Sequence, residues 1–153
     1  MGELRVLKAL REDLPEILKI QKDAFLDEAK ITSFSIEPMT ETLDVVEKDF
    51  QKNLILKAVD SENNILGSVR GKIIDGTTHI FKLSVSPSAQ RRGVATLLLS
   101  ELEKALPERR YELFTRKGNE RTVRMYINNG FKVFKEEIRE KTIPFVFLEK
   151  IRK

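Results

Sequence analysis

Residues 83–95 read Leu83-Ser84-Val85-Ser86-Pro87-Ser88-Ala89-Gln90-Arg91-Arg92-Gly93-Val94-Ala95. An alternating, strand-like run ends at Val85, and a polar turn opens on Pro87. From Val94 the apolar period becomes helical, through Leu97, Leu98, Leu102 and Ala105. The first turn of a helix carries backbone N–H groups with no partner inside the helix, together with a partial positive charge. A helix start is therefore an anion site by construction. Gly93 lets the backbone approach an anion with no Cβ in between, Ala95 keeps the first turn slim, and Arg91 and Arg92 add two charges. This combination suits a diphosphate. Read alone, the run is equally a strand-to-helix turn with two solvated arginines. A P-loop would need Gly-x-x-x-x-Gly-Lys-Ser/Thr and a dinucleotide fingerprint Gly-x-Gly-x-x-Gly, whereas this run holds a single glycine.

Working upstream, Glu3 to Ala9 alternates loosely and predicts a strand. Asp13 then reads as a helix cap, with Glu16 completing a capping box. Leu14, Ile17, Leu18, Gln21 and Phe25 fall on one helical face. A loop from Ile31 to Met39 follows, unusually apolar in Ile31, Phe34, Ile36 and Met39. Thr40 reads as the cap of a second helix that turns Leu43, Val46 and Phe50 inward. Leu54–Val59, Ile65–Ile74 and Thr77–Val85 predict three antiparallel strands, joined by Ser61-Glu62-Asn63-Asn64 and by the hairpin dipeptide Asp75-Gly76. Downstream, Pro107 stops the Leu-rich helix and Tyr111–Thr115 forms a strand, so strand–helix–strand predicts a crossover to a parallel pair. Glu120–Asn129 is a helix with Val123, Tyr126 and Ile127 on one face, ended by Gly130 in the left-handed cap position. Phe131–Phe134 and Phe145–Leu148 close the order as strands. The result is an α+β, or mixed α/β, chain.

At 153 residues the chain suits one domain spanning 1–153, since ~100–200 residues per domain is usual. No repeat or linker interrupts it. The absence of cysteine excludes a disulfide scaffold, a Cys-type zinc site and a cysteine nucleophile, and a single histidine, His79, excludes a His-rich metal site. A net charge of +4 is a mild surplus that favours phosphate-bearing partners but equally describes a solvated mixed-charge surface. No stretch reads as a signal peptide or approaches the ~20 apolar residues of a membrane span. With no cysteine and no Asn-x-Ser/Thr sequon, a cytoplasmic protein without a membrane partner is the expectation.

Gln90-Arg91-Arg92-Gly93-Val94-Ala95 resembles the Gln/Arg-x-x-Gly-x-Gly/Ala pyrophosphate loop of the GNAT superfamily of acetyl-CoA-dependent acetyltransferases. As in that family, it follows a Leu-x-Val-x-Pro strand end and precedes a Leu-rich helix. Asn119, Tyr126, Gly130 and Phe131 resemble the family's Asn-x6-Tyr-x3-Gly-Phe signature, and the element order agrees from Glu3 to about Leu148. Ala95 stands where glycine is commoner, a change the family allows.

The resemblance implies a central, mostly antiparallel mixed sheet of about seven strands flanked by four helices. A V-shaped splay between the strand ending at Val85 and the strand Tyr111–Thr115 would take acetyl-CoA. Backbone groups of Leu83 and Val85 would pair with the pantetheine arm. An amide near Leu83 or Ser84 would support the thioester oxygen as charge builds there. Gln90, Arg91, Arg92, Gly93, Val94, Ala95 and Thr96 would form the pyrophosphate loop, with Asn119 either contacting the cofactor or capping its helix. Tyr126 resembles the general acid for the departing thiolate; the bland alternative is a tyrosine packed on the sheet. His79 stands six residues before the valine of Leu-x-Val-x-Pro, where some members place a carboxylate base. Period two puts it on one face with Phe81, Leu83 and Val85. A partly buried strand histidine is the plainer reading, and Asp27, Glu28 and Glu37 are further base candidates. Substrate choice would come from the Ala29–Thr40 region and the Glu136–Pro144 connection.

The implied activity is direct transfer of acetyl from acetyl-CoA to a primary amine of a small molecule or peptide. One alternative is a weakly catalytic CoA-binding sensor of the same fold. Another is a small basic nucleic-acid module built on Arg91, Arg92, Arg109, Arg110, Arg116 and Lys117, disfavoured by the lack of aromatic or Gly-rich RNA motifs. Family members are often homodimers, and Phe145–Leu148 is a strand that would pair across subunits.

Overall fold

The computed structural model describes residues 3–32, 41–139 and 143–152, with the side chains of residues 27–32 outside the description. Seven strands form one sheet in the order β1-β2-β3-β4-β5-β7-β6. They are β1 (Arg5–Lys8), β2 (Leu54–Val59), β3 (Ile65–Ile74), β4 (Thr77–Val85), β5 (Arg110–Arg116), β6 (Lys132–Arg139) and β7 (Ile143–Ile151). The α-helices are α1 (Leu14–Thr32), α2 (Leu43–Lys52), α3 (Val94–Ala105) and α4 (Glu120–Asn128). All strand pairs are antiparallel except β4–β5. That exception is the one the strand–helix–strand order requires, because only a crossover helix brings two strands parallel.

The apolar pattern divides between the two faces. On one, Leu14, Ile17 and Leu18 of α1 and Val46 of α2 pack with Ile55 of β2. On the other, Val94, Leu98, Leu99 and Leu102 of α3 and Tyr126 of α4 pack on Leu56, Val69, Ile80, Tyr111, Leu113 and Leu148. Burying one such Leu, Ile or Val contributes about 1.5–3 kcal/mol. Gly67 of β3 is what lets α3 sit so close: a Cβ there would lie 2.8 Å from the Ser84 carbonyl oxygen and 3.0 Å from Val94 Cγ1.

Several local expectations change. Asp13 ends a 3-10 turn (Arg11–Asp13) and its carboxylate accepts the Leu10 N–H at 2.7 Å, so it serves the turn before α1 and does not cap α1 itself. Thr42 holds the N-cap position of α2, and Thr40, with Phe34, Ile36, Glu37 and Met39, lies outside the described residues. Ile31 belongs to α1, which runs on to Thr32. Leu43, at the first position of α2, and Ile127, near the end of α4, are exposed, and the buried residues of these two helices are Val46 and Tyr126. The expected Glu136–Pro144 connection is mostly strand: β6 reaches Arg139 and β7 starts at Ile143. Three charges among Glu136–Arg139 hide this strand from an apolar pattern, and its one apolar residue there, Ile138, is exposed.

Candidate active site

The site is built where β4 and β5 part. Their parallel pairing is confined to Thr77–Arg110, Thr78–Tyr111 and His79–Glu112. Beyond these pairs, β4 continues to Val85 bonded only to β3, and β5 continues to Arg116 bonded only to β7. The edge of β4 facing β5 therefore offers backbone groups to a ligand, as a strand edge does.

β4 also carries a bulge. Ser84 lies opposite Ser68 and Phe81 opposite Arg70, so three steps on β4 match two on β3. Lys82 sits in the extra stretch with φ +54. An extra residue reverses the in–out alternation beyond it. Antiparallel partners share a face, so the faces can be assigned. Phe81 and His79 pair with Arg70 and Lys72, and Arg70 bonds Gln21 of α1 and Asp49 of α2. Leu83 and Val85 instead pack against the cluster under α3. The sequence expectation that His79 shares a face with Leu83 and Val85 is thus corrected: it shares one with Phe81 alone, and the bulge is the reason.

At the C-terminal end of β4, a 3-10 turn (Pro87–Ala89) leads into Gln90-Arg91-Arg92-Gly93 and then α3. Arg91 has φ +66 and Gly93, the N-cap of α3, has φ +81. Such left-handed residues turn successive N–H groups toward one side and form an anion-binding concavity. No atom lies within 4 Å of a Cβ built on Gly93. Gln90, Arg91, Arg92 and Thr96 are exposed, whereas Val94 is buried, so Val94 can offer only its backbone. The residues present thus fit a diphosphate at the helix start and an extended arm along the β4 edge.

Tyr126 lies on α4, 7% exposed, its ring edge-on to Phe131 at 6.1 Å, in the cluster against which Leu83 and Val85 pack. Asn119 occupies the N-cap position of α4 without a side-chain capping hydrogen bond. Gly130 follows α4 with φ +95. His79 Nδ1 stands 3.8 Å from Glu112 Oε2. Glu112 Oε1 accepts a hydrogen bond from Arg110 at 2.7 Å, and Arg110 Nε donates to Glu149 at 2.8 Å. Burial works against the Arg110 charge, but its bonds to Glu112 and Glu149 outweigh this and raise its pKa. The side chains of Asp27 and Glu28 lie outside the described part of α1.

Sequence reasoning missed a buried ionic network beside the bulge. Arg70, fully buried, donates to Glu41 at 2.8 Å, Asp49 at 2.6 Å and Gln21 at 2.7 Å. Lys82 Nζ lies 3.9 Å from Glu41. Burial would push the Glu41 carboxyl up, but the Arg70 hydrogen bond and charge, aided by Gln21 and Lys82, hold it below the ordinary carboxylate range. The signal was Arg70 itself: a charge in the middle of the strand Ile65–Ile74, next to Val69 and well inside its ends, calls for a counter-ion once that strand is buried. The arginine set of the nucleic-acid reading does not assemble as a stripe. Arg116 is buried, Arg110 is committed to Glu112 and Glu149, and Lys117 pairs with Glu136. No described helix is long and apolar enough to cross a membrane.

Comparison with known proteins agrees with this geometry. The chain is 22% identical over 138 residues to the uncharacterized protein YyaT of Bacillus subtilis (strain 168), covering 90% of this chain and 88% of that one. The fold matches the PaiA N-acetyltransferase from Thermoplasma acidophilum, solved in complex with coenzyme A, with a TM-score of 0.82 at 19% identity over 98% of this chain and 99% of that one. It also matches a SpeG spermidine N-acetyltransferase chimera from Vibrio cholerae and hSSAT, with a TM-score of 0.78 at 17% identity, covering 98% and 96%. The model of the acetyltransferase (GNAT) family matches residues 14–131, from the start of α1 through the Gly130-Phe131 turn, a span that takes in β4, β5 and the loop before α3, and the chain belongs to that family.

Proposed function

We propose that this protein is an N-acetyltransferase that moves acetyl from acetyl-CoA to a primary amine in a ternary complex. The observation that carries the reading is the confinement of β4–β5 pairing to three residues beside the left-handed entry to α3. Acetyl-CoA bound there supplies the activated acetyl group. The backbone of Gln90, Arg91, Arg92, Gly93, Val94, Ala95 and Thr96 holds the diphosphate. Leu83, Ser84 and Val85 offer the β4 edge to the pantetheine arm, and Asn119 borders it from α4.

Two groups handle protons from opposite faces of the sheet. His79, on the α1 face, accepts the proton that the acceptor nitrogen loses as it bonds to the acetyl carbon. A neutral imidazole with reference pKa ~6.5 is suited to this near pH 7. Tyr126, in the cluster under α3, gives its phenolic proton to the leaving sulfur; on reference values, ~10 for a phenol and ~8.5 for a thiol, the transfer is mildly uphill, so the proton moves as the C–S bond breaks and the tyrosinate is reprotonated from solvent. The amine adds to the thioester carbonyl from the His79 side, and the thiolate leaves the resulting tetrahedral carbon toward Tyr126. A cytoplasmic protein, working on a free amine of a small molecule or peptide, fits this chemistry.

Thermal unfolding with acetyl-CoA is the first test, because a ligand of the folded state alone raises Tm by mass action. We expect a rise that Arg92→Glu diminishes. No rise at millimolar acetyl-CoA would remove the proposal. Thiol release with spermidine, N-terminal alanine peptides and simple primary amines then identifies the acceptor; binding without thiol release from any of them would favour a sensor.

A further inference from the structure

His79–Glu112 is the last parallel pair before β4 and β5 diverge, and 33 positions of sequence separate the two residues, so only strand register brings them together. Both side chains are partly buried, 30% and 20% exposed. The two oxygens of Glu112 are divided between neighbours. Oε1 takes the Arg110 hydrogen bond, and Oε2 faces His79 Nδ1. Arg110 is itself tethered to Glu149 on β7, so the carboxylate is held from the far side. The charged neighbour of His79 on β3 is Lys72, whose ammonium lies over the Phe81 ring at 5.3 Å.

We propose that Glu112, oriented by Arg110, is a positioning residue for His79: it attracts Nδ1–H and so leaves Nε2 as the nitrogen with the free lone pair. A neutral imidazole has two tautomers, and the partner of one nitrogen decides which nitrogen is basic. The 3.8 Å separation exceeds a hydrogen bond, and catalytic contacts of this kind shorten when substrate closes around them. The arrangement follows the logic of a base oriented by a third group. The inference rests on the proposed role of His79 as base.

The chain has one histidine, so 15N-histidine labelling yields the signals of a single imidazole. In the protein with CoA bound, nitrogen shifts of the neutral ring should show a ratio of Nδ1–H to Nε2–H about fivefold higher than in Glu112→Ala, the excess one hydrogen bond of ordinary strength implies. Glu112→Asp should keep part of that excess. Thermal stabilisation by CoA checks that each variant is folded. An unchanged ratio in Glu112→Ala overturns the proposal, and so does a ratio that moves toward Nδ1–H when Glu112 is removed. The base role is read separately by His79→Ala in the thiol-release assay. Full activity there would remove that role and leave the tautomer result standing.

Discussion

Tyr126 and His79 show how differently two functional side chains are exposed to sequence reading. Tyr126 is set by helical spacing, seven residues after Asn119 and four before Gly130, and such a local pattern survives folding. Its burial follows the helical face read from the sequence, whereas its ring contact with Phe131 was not foreseen. If it supplies the proton to the leaving thiolate, Tyr126→Phe should lower kcat about 100-fold or more, the usual worth of a positioned general acid. CoA affinity, measured by calorimetry, should stay within about twofold, since a single lost hydroxyl of this kind acts on proton transfer rather than on the cofactor's anchors. Parallel loss of both would make Tyr126 a packing residue. His79 was legible as a residue but its surroundings were not. Its face was misassigned because period two fails across an extra residue, and nothing in Phe81-Lys82-Leu83 marks Lys82 as left-handed.

At the scale of elements, β3, β4 and α3 act together. β2, β3, β4 and α3 were each bounded correctly from alternation, turn dipeptides and helical period. What alternation did not reveal is how tightly α3 sits on β3 at Gly67. Gly67→Val would drive side-chain atoms against the Ser84 carbonyl and against Val94 and Leu98. Overpacking of this kind costs about 1–3 kcal/mol. Because Val94 begins α3, the same change should displace the diphosphate loop. Urea unfolding should therefore show lower stability, and calorimetry should show weaker CoA binding. Stability equal to the unaltered protein would contradict this account of the α3–β3 contact.

Across the whole molecule, the Arg70 network ties α1, α2 and the segment at Glu41 to the sheet beside the bulge. Breaking a buried pair leaves an uncompensated charge, so Glu41→Ala should cost about 3–5 kcal/mol in urea unfolding at pH 7. Its pH dependence follows from the lowered Glu41 pKa. A carboxylate whose folded pKa lies below its unfolded value contributes stability above the unfolded value, ~4.3 for Glu, and loses it as pH falls through the folded value. The stability gap between the unaltered protein and Glu41→Gln should thus be largest near neutrality and shrink below about pH 4. A gap that stays constant down to pH 3 would show that Glu41 ionisation does not support the fold.

The sequence by itself determined the element order, the crossover that forces one parallel pair, the glycine-led start of α3 and the motifs that resemble those of the acetyltransferase family. All of these are encoded in spacings of a few residues, where periodicity and turn chemistry act directly. Tertiary structure alone decided where β4 and β5 part, on which face of the sheet His79 lies, and which carboxylates meet Arg70 and His79. The physical reason is that bulges and strand register are settled by competition among distant partners. Glu112 reaches His79, and Glu41 reaches Arg70, only after the sheet has formed.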